Sequence, residues 1–281
     1  MTSRPHPYVI ADVFTDTPLQ GNGLAVFTDG TAFDERMMAR LARELNLSET
    51  VFVLPARQGG DAWIRIFTPG IELPFAGHPV LGSAFVLAGE RETVRLETAR
   101  GIVAVALRRD PHGAAVFGRM QQPIPTLEPF EPQAQLLHAL GVTRSELPIE
   151  AYVNGPHNVY VMLADEAAVA ALAPDHQALA ALGPFNVSCF AGAGRQFKTR
   201  MFAPAIGINE DPASGSAAGP LALHLARHGL VAFGEEIEIA QGAEIGRPSK
   251  LHARVSGSRA RIERIEVGGA AVIVARGEFS L

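Results

Sequence analysis

The sequence predicts an α+β protein of two pseudo-symmetric halves, residues 1–125 and 126–281. Two observations predict it. Strand-like and helix-like stretches interleave along the whole chain, and three landmarks of the first half return in the same order in the second. Arg65-Ile66-Phe67-Thr68-Pro69 returns as Arg200-Met201-Phe202-Ala203-Pro204. A glycine before a helix follows each, in Gly77-His78-Pro79 and in Gly215-Ser216-Ala217. Leu96-Glu97-Thr98-Ala99-Arg100-Gly101 then returns as Ile237-Glu238-Ile239-Ala240-Gln241-Gly242. The boundary falls in the Pro-rich stretch from Gln121 to Pro132, and the end strand is free to cross back to the first half.

In the first half, hydrophobic patterning places strands near 7–14, 50–54, 62–67, 92–98 and 101–108. A helix near 33–45 follows from Phe33, Met37, Leu41 and Leu45 at four-residue spacing, with Thr31 and Asp34 supplying acceptors near its start. The second half has strands near 151–154, 157–163, 197–203, 235–240, 252–257, 261–267 and 270–275, and helices near 131–140, 165–182 and 214–228.

Composition narrows the function classes. With 281 residues, 47% of them hydrophobic and 19% charged, the chain is too apolar to stay disordered. A net charge of −5 without a basic run argues against nucleic acid or an anionic membrane as partner and favours a small molecule. Apolar runs such as Ala84-Phe85-Val86-Leu87-Ala88 fall far short of the roughly 20 residues that span a bilayer. The start runs straight into the strand-like Tyr8-Val9-Ile10-Ala11 with no signal-peptide apolar region, so a cytoplasmic protein is expected. One cysteine, Cys189, excludes an intrachain disulfide and any two-thiol mechanism. Lys198 and Lys250 are the only candidates for a Schiff base, and neither sits in a motif.

The two glycine-led helix starts are the chemical signal. Such a start lets backbone approach a ligand, and its first-turn N–H groups attract carboxylate or phosphate. Pro79 suits the first helical position, where a missing N–H costs nothing. If the halves are related by a pseudo-two-fold axis, the helices starting at His78 and Ser216 face a shared cleft and hold an organic anion between them. Around them stand the acid–base candidates Glu49, His78 and Glu210-Asp211. Glu49, between Leu47 and Val51-Phe52-Val53, is in a position where desolvation raises a carboxyl pKa, so that the group both takes and returns a proton.

Other motifs are incomplete. His224 and His228 have the i, i+4 spacing of some zinc helices, but the sequence offers no third ligand, so no metal is expected. Gly21-Asn22-Gly23 and Gly192-Ala193-Gly194 begin like a dinucleotide fingerprint and lack its final glycine. Ser216 stands one place too early for a nucleophile elbow and reads as a hydrogen-bonding group. Cys189 reads as a buried apolar residue.

Taken together, the motifs resemble the PhzF-like phenazine-biosynthesis isomerases, which share the diaminopimelate-epimerase fold. The resemblance rests on Asp12-Val13-Phe14-Thr15 with Gly21 to Phe27, Leu47 to Phe52, Arg65 to Pro69, Phe75 to Pro79, Asn209 to Ala217, and Gln241 to Ser249. It implies two halves, each a curled, mostly antiparallel sheet around a central helix, commonly assembled as a homodimer. It also implies cofactor-independent isomerisation, a proton moving between carbons of a small cyclic amino or hydroxy carboxylate, with Glu49 as general acid/base. His78, Asp211 and Ser216 would line the pocket with Asn22, and N–H groups near Gly77 and Gly215 would hold the substrate carboxylate. The epimerase relatives carry a cysteine at each helix start, where this chain has His78 and Ser216. Gly23 stands where proline often follows the asparagine, in what reads as a loop beside the cleft.

Two other readings make different predictions. A thiol-free amino- or hydroxy-acid epimerase would exchange hydrogen at a stereocentre without moving a double bond. A non-catalytic small-carboxylate binder would be stabilised by ligand without turnover.

Overall fold

In the computed structural model, which describes residues 4–281, the chain divides into two compact units: residues up to Gln121 together with Gly268–Leu281, and Gln122–Val267. Residues 1–3, part of the start read above, lie outside the described residues.

The first unit is built from β1 (Pro5–Val13), β2 (Asn22–Phe27), α1 (Glu35–Leu45), β3 (Glu49–Leu54), β4 (Ala62–Phe67), β5 (Glu72–Leu73), α2 (Gly77–Leu87), β6 (Thr93–Thr98), β7 (Gly101–Arg109) and β8 (Ala115–Gln122), with the last strand of the chain, Ala271–Ser280, beside β1. The second holds β9 (Thr126–Glu128), α3 (Gln133–Leu140), β10 (Glu150–Val153), β11 (His157–Met162), α4 (Glu166–Ala170), α5 (His176–Ala181), β12 (Asn186–Ala193), β13 (Gln196–Ala203), β14 (Ile208–Asp211), α6 (Gly215–Arg227), β15 (Glu236–Gln241), β16 (Ser249–Gly257) and most of β17 (Ile262–Gly269).

Both units use one pairing scheme. In the first, β1 and β2 pair antiparallel, β2 and β3 parallel, β3 and β4 antiparallel, β4 and β6 parallel, and β6 and β7 antiparallel. Strands β10, β11, β12, β13, β15 and β16 repeat that sequence of senses. The repeated Arg-x-Phe-x-Pro signature serves the same purpose twice. Arg65 Nε donates to Glu72 at 2.7 Å and its guanidinium lies 5.1 Å from the Phe67 ring. Arg200 Nε donates to Glu210 at 2.8 Å and lies 5.1 Å from Phe202. In each unit the arginine thus clamps a strand to the short one that precedes the buried helix.

That helix is buried along most of its length, its few polar side chains included. Every residue of Gly77–Phe85 in α2 and of Gly215–Ala226 in α6 is buried. Glycine sets the close approach. A Cβ on Gly82 would stand 2.6 Å from both Leu24 Cδ2 and Val13 Cγ2, and one on Gly219 would meet Gln122 Oε1 and, at 2.6 Å, Ile265 Cγ2. Aromatic rings fill the far side of the first unit, where Phe27 and Phe52 stack at 4.9 Å and Phe33 and Phe67 meet Phe52 edge-on.

Several expectations need correction. The helix near 165–182 is two short helices, because Pro174 interrupts it and Asp175 caps the second by accepting from Gln177 and Ala178 N–H. The face that α1 buries is Met38, Leu41 and Ala42, with Met37 only half-buried; Asp34, not Thr31, caps it, accepting from Met37 N–H at 2.8 Å. Pro79 is the third helical residue rather than the first, still inside the turn where an N–H has no helical partner. Gly23 lies within β2 opposite Asp12, not in a loop. Strands β2, β5, β8, β9, β12 and β14 were not expected. Buried along most of their length, β2 and β12 lack the in–out alternation that reveals β7.

Candidate active site

In the first unit the fold brings Asn22, Glu49 and His78 together. Asn22 opens β2 and Glu49 opens β3; these strands run parallel, with Glu49 in register with Leu24. His78 is the second residue of α2. The approach to Asn22 is tightly held. Phe14 and Leu19 adopt left-handed backbone at φ 64° and 67°, and the Asp12 carboxylate accepts from Leu19 N–H at 2.7 Å. Gly21, at φ 67°, has no room for a Cβ against the Val13 carbonyl.

His78 Nδ1 lies 3.3 Å from Asn22 Nδ2, and His78 Nε2 lies 3.2 Å from Glu49 Oε2. An amide nitrogen only donates, so Nδ1 accepts and the neutral ring carries its proton on Nε2, facing the carboxylate. Burial pushes the His78 pKa down to about 3, so the ring is uncharged at neutral pH. The His78–Glu49 contact has ion-pair distance but not hydrogen-bond alignment. With a neutral ring, it is an imidazole beside a carboxylate rather than a salt bridge. All three side chains are buried: Asn22 is 1%, Glu49 7% and His78 3% exposed. A carboxyl group so placed is screened from bulk water.

The second unit holds Asp211, Gly215 and Ser216. Asp211 closes β14, and Ser214 Oγ donates to its Oδ2 at 2.6 Å. Gln241 Nε2 donates to the Asp211 carbonyl at 2.7 Å and to Ser214 Oγ at 2.9 Å. Glu210, a candidate beside Asp211, is occupied instead by a bidentate contact with Arg200 at 2.8 and 2.7 Å.

Three successive carbonyls at the start of α6 each accept from a side chain. Gln122 Nε2 reaches Gly215, Asn154 Nδ2 reaches Ser216 and the Tyr160 hydroxyl reaches Ala217, at 2.7, 2.8 and 2.7 Å. For Ser216 the reason is Pro220, which has no N–H to offer the carbonyl four residues back. Asn154 is oriented in turn by Asn158, and Asn158 by Asn186, each at 3.1 Å. Sequence reasoning missed this amide series. Its members are far apart in the chain, and the parallel register of β11 and β12 sets Asn158 opposite Asn186. The Pro inside a helical pattern was the one available signal. Cys189 lies in β12 with its thiol pushed up to about 12 by burial.

Comparison with known proteins finds relatives along nearly the whole chain. A family model described as "Phenazine biosynthesis-like protein" matches residues 11–277. A trans-2,3-dihydro-3-hydroxyanthranilate isomerase from Pseudomonas aeruginosa is 53% identical, covering 98% of this chain and 100% of its own. A solved predicted epimerase from Pseudomonas aeruginosa is 31% identical, with a TM-score of 0.83 over 98% of this chain and 99% of its own. The structure of a PhzF-family phenazine biosynthesis protein from Bacillus anthracis has the same fold, with a TM-score of 0.86 at 24% identity over 99% and 100% of the two chains. With the family's sequence pattern matched across nearly its whole length, the chain belongs to the PhzC-PhzF, phenazine biosynthesis-like family.

Proposed function

We propose that this chain is a cofactor-independent isomerase that moves a proton between carbons of trans-2,3-dihydro-3-hydroxyanthranilate, with Glu49 as the general acid/base. The observation that carries the reading is the buried line Asn22–His78–Glu49, a carboxylate held beside a neutral imidazole whose tautomer is set from behind. The name and 53% identity of the Pseudomonas relative support the substrate.

In this reading Glu49 takes a proton from a ring carbon, the double bonds shift, and the same carboxyl returns a proton to another ring carbon, leaving an isomer. No oxidant, reductant or net proton is required. His78 Nε2 stands 3.2 Å from Glu49 Oε2, and Asn22 holds the ring at its other nitrogen. On the family resemblance, the proposed substrate-binding groups are Asn22 and the N–H groups near Gly77 in the first unit, and Asp211, Ser216 and the N–H groups near Gly215 in the second. A homodimer belongs to the same proposal and rests on the family resemblance, and a cytoplasmic location is proposed beside it.

The test is turnover of that substrate in deuterated buffer, followed by proton NMR. Deuterium at a ring carbon with a shifted diene supports the reading. Deuterium at the original stereocentre with the diene unmoved would replace it by epimerisation, and binding without any exchange would replace it by a non-catalytic role.

A further inference from the structure

His224 and His228 gain in the fold the third donor that their spacing alone did not offer. Glu150 opens β10, and its Oε2 lies 3.2 Å from His224 Nδ1 and 3.1 Å from His228 Nε2. One ligand atom from each residue falls within 4.8 Å of the others. Bonds of about 2.0–2.1 Å to a tetrahedral ion place its donors roughly 3.4 Å apart, close to the two carboxylate–imidazole distances. We propose that Glu150, His224 and His228 form a binding site for one divalent transition-metal ion of the zinc type, with the fourth position open to water.

The surroundings favour this use. His224 lies in the last turn of α6 and His228 is its C-cap residue, so the i, i+4 spacing sets both imidazoles beside Glu150. His224 is fully buried, whereas the side chains of His228 and Glu150 are 19% and 24% exposed, so the group is reached from solvent on one side. Arg227 lies 3.5 Å from Glu150 Oε1, leaving Oε2 as the oxygen turned toward the rings. The Tyr152 hydroxyl donates to that Oε2 at 2.7 Å and fixes its direction, a supporting contact of the kind metal ligands usually have. Two imidazoles and one carboxylate suit Zn²⁺, Co²⁺ or Ni²⁺ better than Mg²⁺ or Ca²⁺, which prefer all-oxygen sites. None of the three side chains belongs to the proposed catalytic set. A bound ion would tie the end of α6 opposite Gly215 to β10.

The full chain, stripped with chelator and desalted, is titrated with Co²⁺ and then with Zn²⁺. One Co²⁺ per chain with the visible absorption of four-coordinate cobalt, displaced by Zn²⁺, is expected, together with a rise in thermal midpoint. Glu150→Gln and His228→Asn, both at partly exposed positions, should each weaken binding by at least about tenfold, and Tyr152→Phe by a smaller factor. Isomerase activity of these variants reports that they fold. Absence of stoichiometric Co²⁺ or Zn²⁺ binding, or equal binding by the wild type and both ligand variants, would overturn the proposal.

Discussion

His78 turns its protonated nitrogen, Nε2, to the Glu49 carboxylate at 3.2 Å and its other nitrogen to the Asn22 amide at 3.3 Å. The histidine is therefore a neutral spacer between an amide and a carboxylate, and its charge state has a consequence for stability. Its pKa, 6.5 in the unfolded chain, is about 3 in the folded one. Acid thus protonates the unfolded form first. The stability held by neutral His78 is complete above pH 6.5 and is lost as pH falls from there toward 3, at about 1.4 kcal/mol per pH unit. Urea melts at pH 7, 6 and 5 should show the loss, and His78→Asn should flatten it. An equal slope in the variant would show that other groups cause it.

The Ser216 carbonyl loses its helical N–H to Pro220 and regains a donor in Asn154. Asn154→Ala should cost about 1–3 kcal/mol by leaving that carbonyl buried and unsatisfied. In a Pro220→Ala background, where a backbone N–H returns, the same substitution should cost less. A double-mutant cycle measures the difference, and strict additivity would contradict the account.

The duplicated arginines should differ in energetic weight. Arg200 and Glu210 side chains are only 9% and 10% exposed, and Arg200 Nη1 also donates to the Leu172 carbonyl at 2.6 Å. Arg65 shares its charge with Glu72 and with Glu35, which are 36% and 73% exposed. Glu210→Gln should cost roughly 3–5 kcal/mol and Glu72→Gln about 1 kcal/mol or less, read from denaturant midpoints. Equal costs would show that burial does not set the value of this clamp.

Much of the architecture was legible because it repeats. Arg65 to Pro69 and Arg200 to Pro204 mark the same clamp, and Gly77 and Gly215 open the two buried helices. Alternation revealed β7 and spacing revealed α1. Strand β12, buried along most of its length with no in–out periodicity, stayed hidden, although the equally buried β3 and β11 were legible as short apolar runs. In the candidate site, Glu49 and His78 stood out by residue type beside strand and helix signals. The Asn186–Asn158–Asn154 series and the Glu150–His224–His228 group did not, because strand register and helix packing bring them together from distant parts of the chain.

The central claim is that the Glu49 carboxyl moves the proton. The most direct measurement compares wild type with Glu49→Gln, which keeps the shape of the side chain and removes its basicity, on trans-2,3-dihydro-3-hydroxyanthranilate. Turnover should fall at least about 10²-fold while substrate still raises the thermal midpoint of the variant. Full turnover by Glu49→Gln would contradict the account.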